Sequence, residues 1–321
     1  MRRFQIVLSL SFLTSGIWLF PAPARGQIFV TNATSTTTED GSIAEYSTAG
    51  DPLNVPLVSG GAFPAYALEW IAVSGSDVFV INGNTVDEYS TSGTGLKVPL
   101  ISGLNSPTGI TVSGSNLFFI NGNNTIEEYT TSGTSVHNFA VSGMSLPEGI
   151  AVAQSGSAYN VFVANSGNNT VGEYTLSGTA LESSTPALIS TGLSGPQDVA
   201  VAGSTLYVTD FNNGAVGEFT TSGGTGSIAL VSDLVNPFGI AVSGSNLLVT
   251  TFGGLGGNTI DQFNATTGDP VNSPLVSSGL DDPAGIAVDM PEPSGPALLA
   301  IISWTLLPLR RPRRQRWVFA A

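Results

Sequence analysis

The sequence predicts an all-β fold: a six-bladed β-propeller whose ring closes by pairing an N-terminal strand with a C-terminal one, flanked by a signal peptide and a C-terminal sorting helix. Three observations predict it. A set of short strand-like runs recurs six times. The repeat begins and ends out of phase, so that neither end of the chain holds a whole unit. Apolar segments bearing arginines lie outside the repeat at both termini.

The first repeating element is Pro107-Thr108-Gly109-Ile110-Thr111-Val112. It returns at Pro147–Val152, Pro196–Val201, Pro237–Val242 and Pro283–Val288, with a degenerate copy at Leu68-Glu69-Trp70-Ile71-Ala72-Val73. Its Ile or Val falls at positions 71, 110, 150, 199, 240 and 286, giving spacings of 39, 40, 49, 41 and 46 residues. The second element is an apolar triplet, as in Ile28-Phe29-Val30 or Val78-Phe79-Val80. The third ends in an aromatic residue: Tyr46, Tyr89, Tyr129, Tyr174, Phe219 and Phe263. A turn of the Thr-Ser-Gly type follows, then a weaker apolar run such as Val98-Pro99-Leu100-Ile101. These runs are rich in Val, Ile, Phe, Tyr and Thr and are bounded by Gly, Asn, Ser or Pro, which are strand and turn signals. Four short strands in a period of this length make a propeller blade.

The folded part of the chain opens on the second element, at Ile28, and closes on the first, at Val288. The two ends together make one blade, with its innermost strand supplied from the C-terminal side. In that strand Ile and Val share one face and Ala takes the other. Blades crowd at the axis, so a small residue is expected on one side: Ala72, Thr111, Ala151, Ala200, Ala241 and Ala287. The glycine before the strand (Gly109, Gly149, Gly239, Gly285) is expected to supply a positive φ where the chain turns inward.

These repeats resemble the NHL family of six-bladed propellers, and the virginiamycin B lyase-like and lactonase-like propellers. The copy from Pro196-Gln197-Asp198-Val199-Ala200-Val201 through Leu206-Tyr207-Val208-Thr209-Asp210 to Val216-Gly217-Glu218-Phe219 carries the resemblance most clearly. It implies the fold over nearly all of residues 28–289. It does not imply an activity, because this architecture serves enzymes, ligand binders and scaffolds alike.

The termini predict export. Arg2 and Arg3 precede an apolar run from Ile6 to Phe20, and Ala22-Pro23-Ala24 offers a cleavage site of the A-x-A type. The cut falls after Ala24 or after Gly26; the sequence leaves both open. At the other end, Pro291-Glu292-Pro293 precedes an apolar span, Ser294 to Leu309, and then Arg310, Arg311, Arg313, Arg314 and Arg316. This order resembles the PEP-CTERM tail of exported bacterial proteins. The resemblance implies an exosortase-type processing protease as partner, transient membrane contact through the span, and delivery to the cell surface or extracellular matrix. Met290 and the trailing Trp317-Val318-Phe319-Ala320-Ala321 depart from the usual pattern. An ordinary C-terminal anchor is the plainer reading, and it too gives an exported protein. The expected division is therefore a signal peptide at 1–26, a propeller at 27–290 and a sorting tail at 291–321.

Between those segments one lysine, Lys97, stands against 22 acidic residues, a net charge of −21 over residues 27–291. Such a surface repels nucleic acid and anionic lipid. The chain has no cysteine, so its stability rests on its core rather than on disulfides.

The repeat alignment places the loops entering the first strand and leaving the second around one mouth of the axial channel. The first set brings Glu69, Trp70, Thr108, Glu148, Gln197, Asp198 and Phe238. The second brings Asn32, Asn82, Asn121, Asn165 and Asp210. Glu69, Glu148, Asp198 and Asp210 are the acids expected there, and calcium, which takes six to eight oxygen ligands, is the cation they would suit. The plainer reading is that each Asn or Asp caps its own turn. Trp70 and Phe238 break the small-residue pattern and can stack on a sugar ring, or simply repack one blade. Glu45, Glu88, Glu128, Glu173 and Glu218, with Gln262, repeat before the third-strand aromatic; this suits a structural role, pairing with backbone N–H groups or neighbouring Thr. His137, the single histidine, is poorly placed for catalysis. The expectation is a non-enzymatic binding or scaffold module with an exopolysaccharide or surface protein as partner. The alternative is a metal-dependent hydrolase or lyase of the lactonase-like class.

Overall fold

The computed structural model describes residues 26–33, 41–59, 63, 68–122, 124–253 and 257–289. The signal-peptide segment and the tail with its Pro-Glu-Pro motif and arginines lie outside the described residues. Twenty-four strands and no helix make up the described chain. Blade 1 contains β1 (Gln27–Asn32), β2 (Ser42–Ser47) and β3 (Pro52–Val58). Blade 2 is β4 (Ile71–Ser74), β5 (Asp77–Asn82), β6 (Thr85–Ser90) and β7 (Gly95–Ile101). Blade 3 is β8 (Thr108–Ser113), β9 (Asn116–Asn121), β10 (Thr125–Thr130) and β11 (Ser135–Ala140). Blade 4 is β12 (Pro147–Ser155), β13 (Ala158–Asn165), β14 (Thr170–Ser177) and β15 (Ala180–Ile189). Blade 5 is β16 (Pro196–Ala202), β17 (Thr205–Asp210), β18 (Ala215–Thr220) and β19 (Thr225–Val231). Blade 6 is β20 (Pro237–Ser243), β21 (Asn246–Thr251), β22 (Thr259–Asn264) and β23 (Pro270–Val276), and β24 (Pro283–Asp289) follows it.

Each blade is a four-stranded antiparallel sheet, and the sheet of blade 1 runs β24-β1-β2-β3. Ile28 pairs with Val288, Phe29 with Ala287 and Val30 with Ile286. The ring is thus closed by strands from opposite ends of the described chain, as the phase of the repeat predicts. The six inner strands β24, β4, β8, β12, β16 and β20 touch one another in sequence around the axis.

The core lies between blades rather than at one centre. Ala287 of blade 1 packs with Ile71 of blade 2, Ala72 with Ile110 of blade 3, and Ala151 of blade 4 with Val199 of blade 5. Ala200 of blade 5 meets Ile240 of blade 6, and Ala241 meets Ile286 of blade 1. The small face of one inner strand therefore receives the branched face of the next. The second-strand aromatics Phe29, Phe79, Phe118 and Phe162 are fully buried in these seams, each contributing about 1.5–3 kcal/mol of burial.

The expected role of the pre-strand glycines needs correction. Only Gly109 among the four has a positive φ. What they share is proximity: a Cβ on any of Gly109, Gly149, Gly239 or Gly285 would overlap the backbone or an inward side chain of the next blade. The role common to these glycines is close approach between blades; at Gly109 alone the backbone is also left-handed.

The acid before the third-strand aromatic also differs from expectation. In blades 1, 2, 3 and 6 its partners include side chains of the fourth strand. Glu88 pairs with Lys97 at 3.3 Å and Glu128 with His137 Nδ1 at 2.8 Å. Glu45 accepts from Asn54, and Gln262 Oε1 accepts from Asn272 at 2.9 Å. These residues sit directly opposite each other across the ladder. His137 is thereby held in an outer strand, away from the axis.

Candidate functional site at the channel mouth

A bulge builds the mouth. In blade 4, Pro147 pairs with Asn165 and the next ladder pair is Ile150 with Val163, so the inner strand carries one residue more than its partner. The same irregularity occurs in β24, β8, β16 and β20. A bulge re-aims side chains at a strand end. The residue after the proline at this bulge is Thr108, Glu148, Gln197, Phe238 or Ala284. In blade 2 the regular strand begins at Ile71, leaving Glu69 and Trp70 before it.

Between neighbouring blades the mouth is tied by three buried threonines. Thr209 Oγ1 accepts from Asp198 N at 2.9 Å and donates to Phe238 O of the next blade at 2.6 Å. Thr250 accepts from Gly239 N at 2.8 Å and donates to Ala284 O at 2.6 Å. Thr31 accepts from Gly285 N at 2.9 Å and reaches Glu69 O at 3.3 Å. The corresponding positions in blades 2, 3 and 4 are Ile81, Ile120 and Ala164, all buried and apolar. The second-strand hydroxyl ties therefore run from blade 5 through blades 6 and 1 to blade 2, while blades 3 and 4 are linked instead by Thr108 Oγ1, which donates to Pro147 O at 2.9 Å.

The Asn and Asp residues at the ends of the second strands are caps. Oδ1 of Asn32 accepts from Asp281 N at 3.2 Å, that of Asn121 from Asn105 N at 2.8 Å and that of Asn165 from Ser145 N at 3.2 Å. Asp210 Oδ1 accepts from Ser194 N at 2.8 Å, and its Oδ2 from Asn213 Nδ2 at 2.7 Å. Each holds the loop that leads into the inner strand of its own blade.

Asp198 occupies a glycine position and is equally committed. Its Oδ1 accepts from Val199 N at 2.8 Å and its Oδ2 from Ile240 N of blade 6 at 3.0 Å. Burial nonetheless pushes its carboxyl up to about 7, against those two N–H groups. Asp210 is raised in the same way and by the same cause.

Glu69 and Glu148 behave differently. Both are half-buried at the mouth. Burial raises both carboxyls, and the charge of Glu69 adds to the rise at Glu148, which is pushed up to about 7. Ser166 Oγ opposes that rise by donating to Glu148 at 3.4 Å. Glu148 thus lies within electrostatic reach of Glu69. The structure does not make a cage of the four sequence-predicted acids: Asp198 and Asp210 spend their oxygens on the protein itself. Among the described residues no three His, Cys, Asp or Glu side chains converge on one point.

Trp70 and Phe238 come from blades 2 and 6, and their rings meet at the mouth. Phe238 also packs edge-on to Phe252 at 5.8 Å, and Phe252 lies 5.6 Å from Phe211. Phe211 and Phe252 are half-exposed and follow the second strands of blades 5 and 6. Sequence reasoning missed both. The signal was available, because the equivalent residues elsewhere are Ala33, Gly83, Gly122 and Ser166. Trp70 is 4% exposed, and its Nε1–H finds no acceptor among the described residues. Below the mouth lies an axial cavity of about 300 Å³, lined by the Ile-Ala-Val residues of the inner strands and by Trp70 and Asp198.

No protein-family model matches the chain, and no curated protein matches it by sequence. Among solved structures, a chain of a nidogen/laminin complex is similar at a TM-score of 0.60 and 16% identity, covering 82% of this chain and 98% of that one. A gluconolactonase from Xanthomonas campestris is similar at a TM-score of 0.50 and 11% identity, covering 68% and 85%. A streptogramin B lyase aligns at a TM-score of 0.48 and 19% identity, covering 83% and 74%. Identities this low carry the architecture and nothing of the chemistry: by fold, the described chain is a six-bladed β-propeller.

Proposed function

We propose that this is an exported cell-surface or extracellular-matrix propeller that acts as a binding or scaffold module, with its ligand site at the channel mouth and an exopolysaccharide as partner. One observation carries the reading. The mouth breaks the six-fold repeat: Phe211, Phe238 and Phe252 stand together on blades 5 and 6, and Phe238 meets Trp70 of blade 2, the residue after the half-buried Glu69. Aromatic faces beside fixed hydrogen-bond acceptors suit a ligand with an apolar side and polar edges. The test is isothermal titration of the full chain with soluble polysaccharides. Phe238→Ala should weaken binding about tenfold, the size of a hot-spot aromatic. Unchanged affinity moves the site elsewhere.

Export supports the same reading through the Pro291-Glu292-Pro293 motif, the apolar span and Arg310, Arg311, Arg313 and Arg314. An exosortase-type protease is the proposed processing partner, with membrane contact ending at cleavage. Alanine in place of the three motif residues should leave the protein uncut and membrane-bound in its host. Normal release of that variant removes the sorting argument.

A second reading, a hydrolase or lyase of the lactonase-like class, draws on Glu148, whose carboxyl burial and the charge of Glu69 push up to about 7. Two carboxyls whose environment holds one near neutrality can take up and return a proton. Its metal-dependent form needs ligands that Asp198 and Asp210 do not offer. Lactone hydrolysis that is lost in Glu148→Gln favours this reading; a melting temperature that responds equally to calcium and to sodium of matched ionic strength counts against a specific cation site.

A further inference from the structure

We propose that β11, the outer strand of blade 3, is a docking edge that takes an extended segment of a partner protein, bearing lysine or arginine, as a fifth strand of its sheet. The site lies on the rim, apart from the mouth, and does not depend on the ligand bound there.

Blade 3 departs from a pattern that the other outer strands share. In blade 2, Val86 pairs with Ile101, but Glu88, two positions on, pairs with Lys97, four positions back, so β7 bulges by two residues. The same excess occurs in β3, β15, β19 and β23. Each bulged segment ends in a leucine that lies against the turn glycine of the next blade. A Cβ on Gly50, Gly93, Gly133, Gly223 or Gly268 would touch Leu275, Leu57, Leu100, Leu188 or Leu230. Pro56, Pro99, Pro186 and Pro274 stand in four of these five segments. Bulges and prolines are means by which a sheet edge is closed to further strands. β11 has neither along its centre. Ile126 pairs with Phe139, Glu127 with Asn138 and Glu128 with His137 without a break, and its one shift falls at the turn end. No proline interrupts Ser135–Ala140. The matching leucine is missing too, and a Cβ on Gly178 of blade 4 would meet nothing within 4 Å.

The ladder fixes the direction of the amide groups. Val141 N donates to Asn124 O at 3.0 Å, and bonded pairs alternate with unbonded ones in an antiparallel ladder. Phe139 and His137, two and four positions back, therefore spend their N–H and C=O on β10. Asn138 and Ala140 turn theirs outward. Both residues are exposed, and β11 ends its sheet. An added strand thus meets two donors and two acceptors at the spacing of its own backbone, which is the basis of recognition by strand addition.

Charge selects the segment. β11 itself carries no acid. Directly behind it, Glu127 and Glu128 of β10 take opposite faces of the sheet, where Asn138 Nδ2 donates to Glu127 at 2.6 Å and His137 Nδ1 meets Glu128 at 2.8 Å. The one lysine or arginine among the described residues, Lys97, is committed to Glu88 in blade 2. A long cationic side chain on the added strand can lie back over β11 toward either glutamate, and the net charge of −21 over residues 27–291 steers such a segment in. A second copy of this chain would bring the same negative field to a short edge and is repelled.

The test uses the full chain and a short fluorescent peptide that alternates threonine and lysine. Anisotropy reads its binding, and amide hydrogen exchange locates it. The peptide should bind and slow exchange at Asn138 and Ala140, while Phe139, already bonded to β10, changes little. The same peptide methylated at alternate backbone nitrogens, and one with glutamate in place of lysine, should each bind about tenfold or more weakly, the size of one or two hydrogen bonds. Ala140→Pro deletes an outward N–H and none of the ladder's. It should melt with the parent protein and bind the lysine peptide about tenfold more weakly. Ala140→Lys leaves the backbone whole and repels the peptide, so it should weaken binding as well, and it stands in if the proline variant does not fold. Equal binding of the methylated peptide reduces the effect to charge attraction and overturns strand pairing. Equal binding of the glutamate peptide overturns the basic partner. Unchanged binding in both variants, or protection that omits Asn138 and Ala140, overturns the site, as does a lysine peptide that does not bind. A dimer of the full chain that Ala140→Pro makes monomeric would give the edge to a second copy and overturn the partner named here.

Discussion

The indole of Trp70 lies 5.4 Å from the ring of Phe238, centroid to centroid and tilted by 35°, although the two residues belong to blades 2 and 6 and blade 1 stands between them. The pair spans the mouth and ties together blades that share no seam.

That pair should show measurable coupling. Trp70→Ala and Phe238→Ala, singly and together, form a double-mutant cycle read by urea denaturation of the full chain. An aromatic pair of this kind contributes about 0.5–1.5 kcal/mol beyond its buried area. Additive losses would mean that the rings only share a neighbourhood.

Stability should fall as pH rises through neutrality. Burial pushes Asp198 and Glu148 up to about 7, whereas the unfolded chain titrates such groups near about 4. Between these values the folded protein holds more protons than the unfolded chain, so the free energy of unfolding declines with pH. The decline starts above the unfolded value and is complete once pH passes about 7. Mutual repulsion of the many acids acts in the same direction, so the slope must be compared with that of Asp198→Asn, which should be shallower. Equal slopes would show that Asp198 carries its charge without penalty.

Gly149→Ala should destabilise the domain by about 1–3 kcal/mol, the usual result of overpacking. The new methyl would overlap the Asp198 carboxylate and its backbone. Thermal unfolding of the full-length variant checks this. A loss near zero would mean that blades 4 and 5 have slack at the axis.

Removing β24 should open the ring. A chain stopped after Asp282 leaves Ile28, Phe29 and Val30, all fully buried, on an unpaired edge. It should aggregate or melt lower by about 10 °C or more, the equivalent of several kcal/mol in a domain of this size. A chain stopped after Met290 keeps β24 and is the control. Equal melting and a monomeric elution profile for both would refute closure by β24.

Much of this architecture was legible because it is written into single elements. The Ile-Ala-Val run shows its two faces by alternation, and the phase of Ile28 against Val288 gives the closing blade. What escaped were relations between blades. The Thr31, Thr209 and Thr250 ties join a second strand to the inner-strand segment of the next blade, a relation that one repeat does not display. The glycines were assigned to backbone handedness, because crowding from the next blade is invisible in one repeat. At the mouth, Trp70, Phe238, Glu69 and Glu148 stood out as exceptions to the pattern. Asp198 and Asp210 stood out equally, and only their hydrogen bonds separate an acid committed to the fold from one left half-buried at the mouth.

The pairing of β1 with β24 also sets an order of events. β1 is the earlier of the two to be synthesised, and β24 leaves the ribosome only after every other described strand. Until β24 is available, the inner edge Ile28-Phe29-Val30 of blade 1 has no partner strand, and an unpaired edge of this kind is open to other chains. Closing the ring removes that edge.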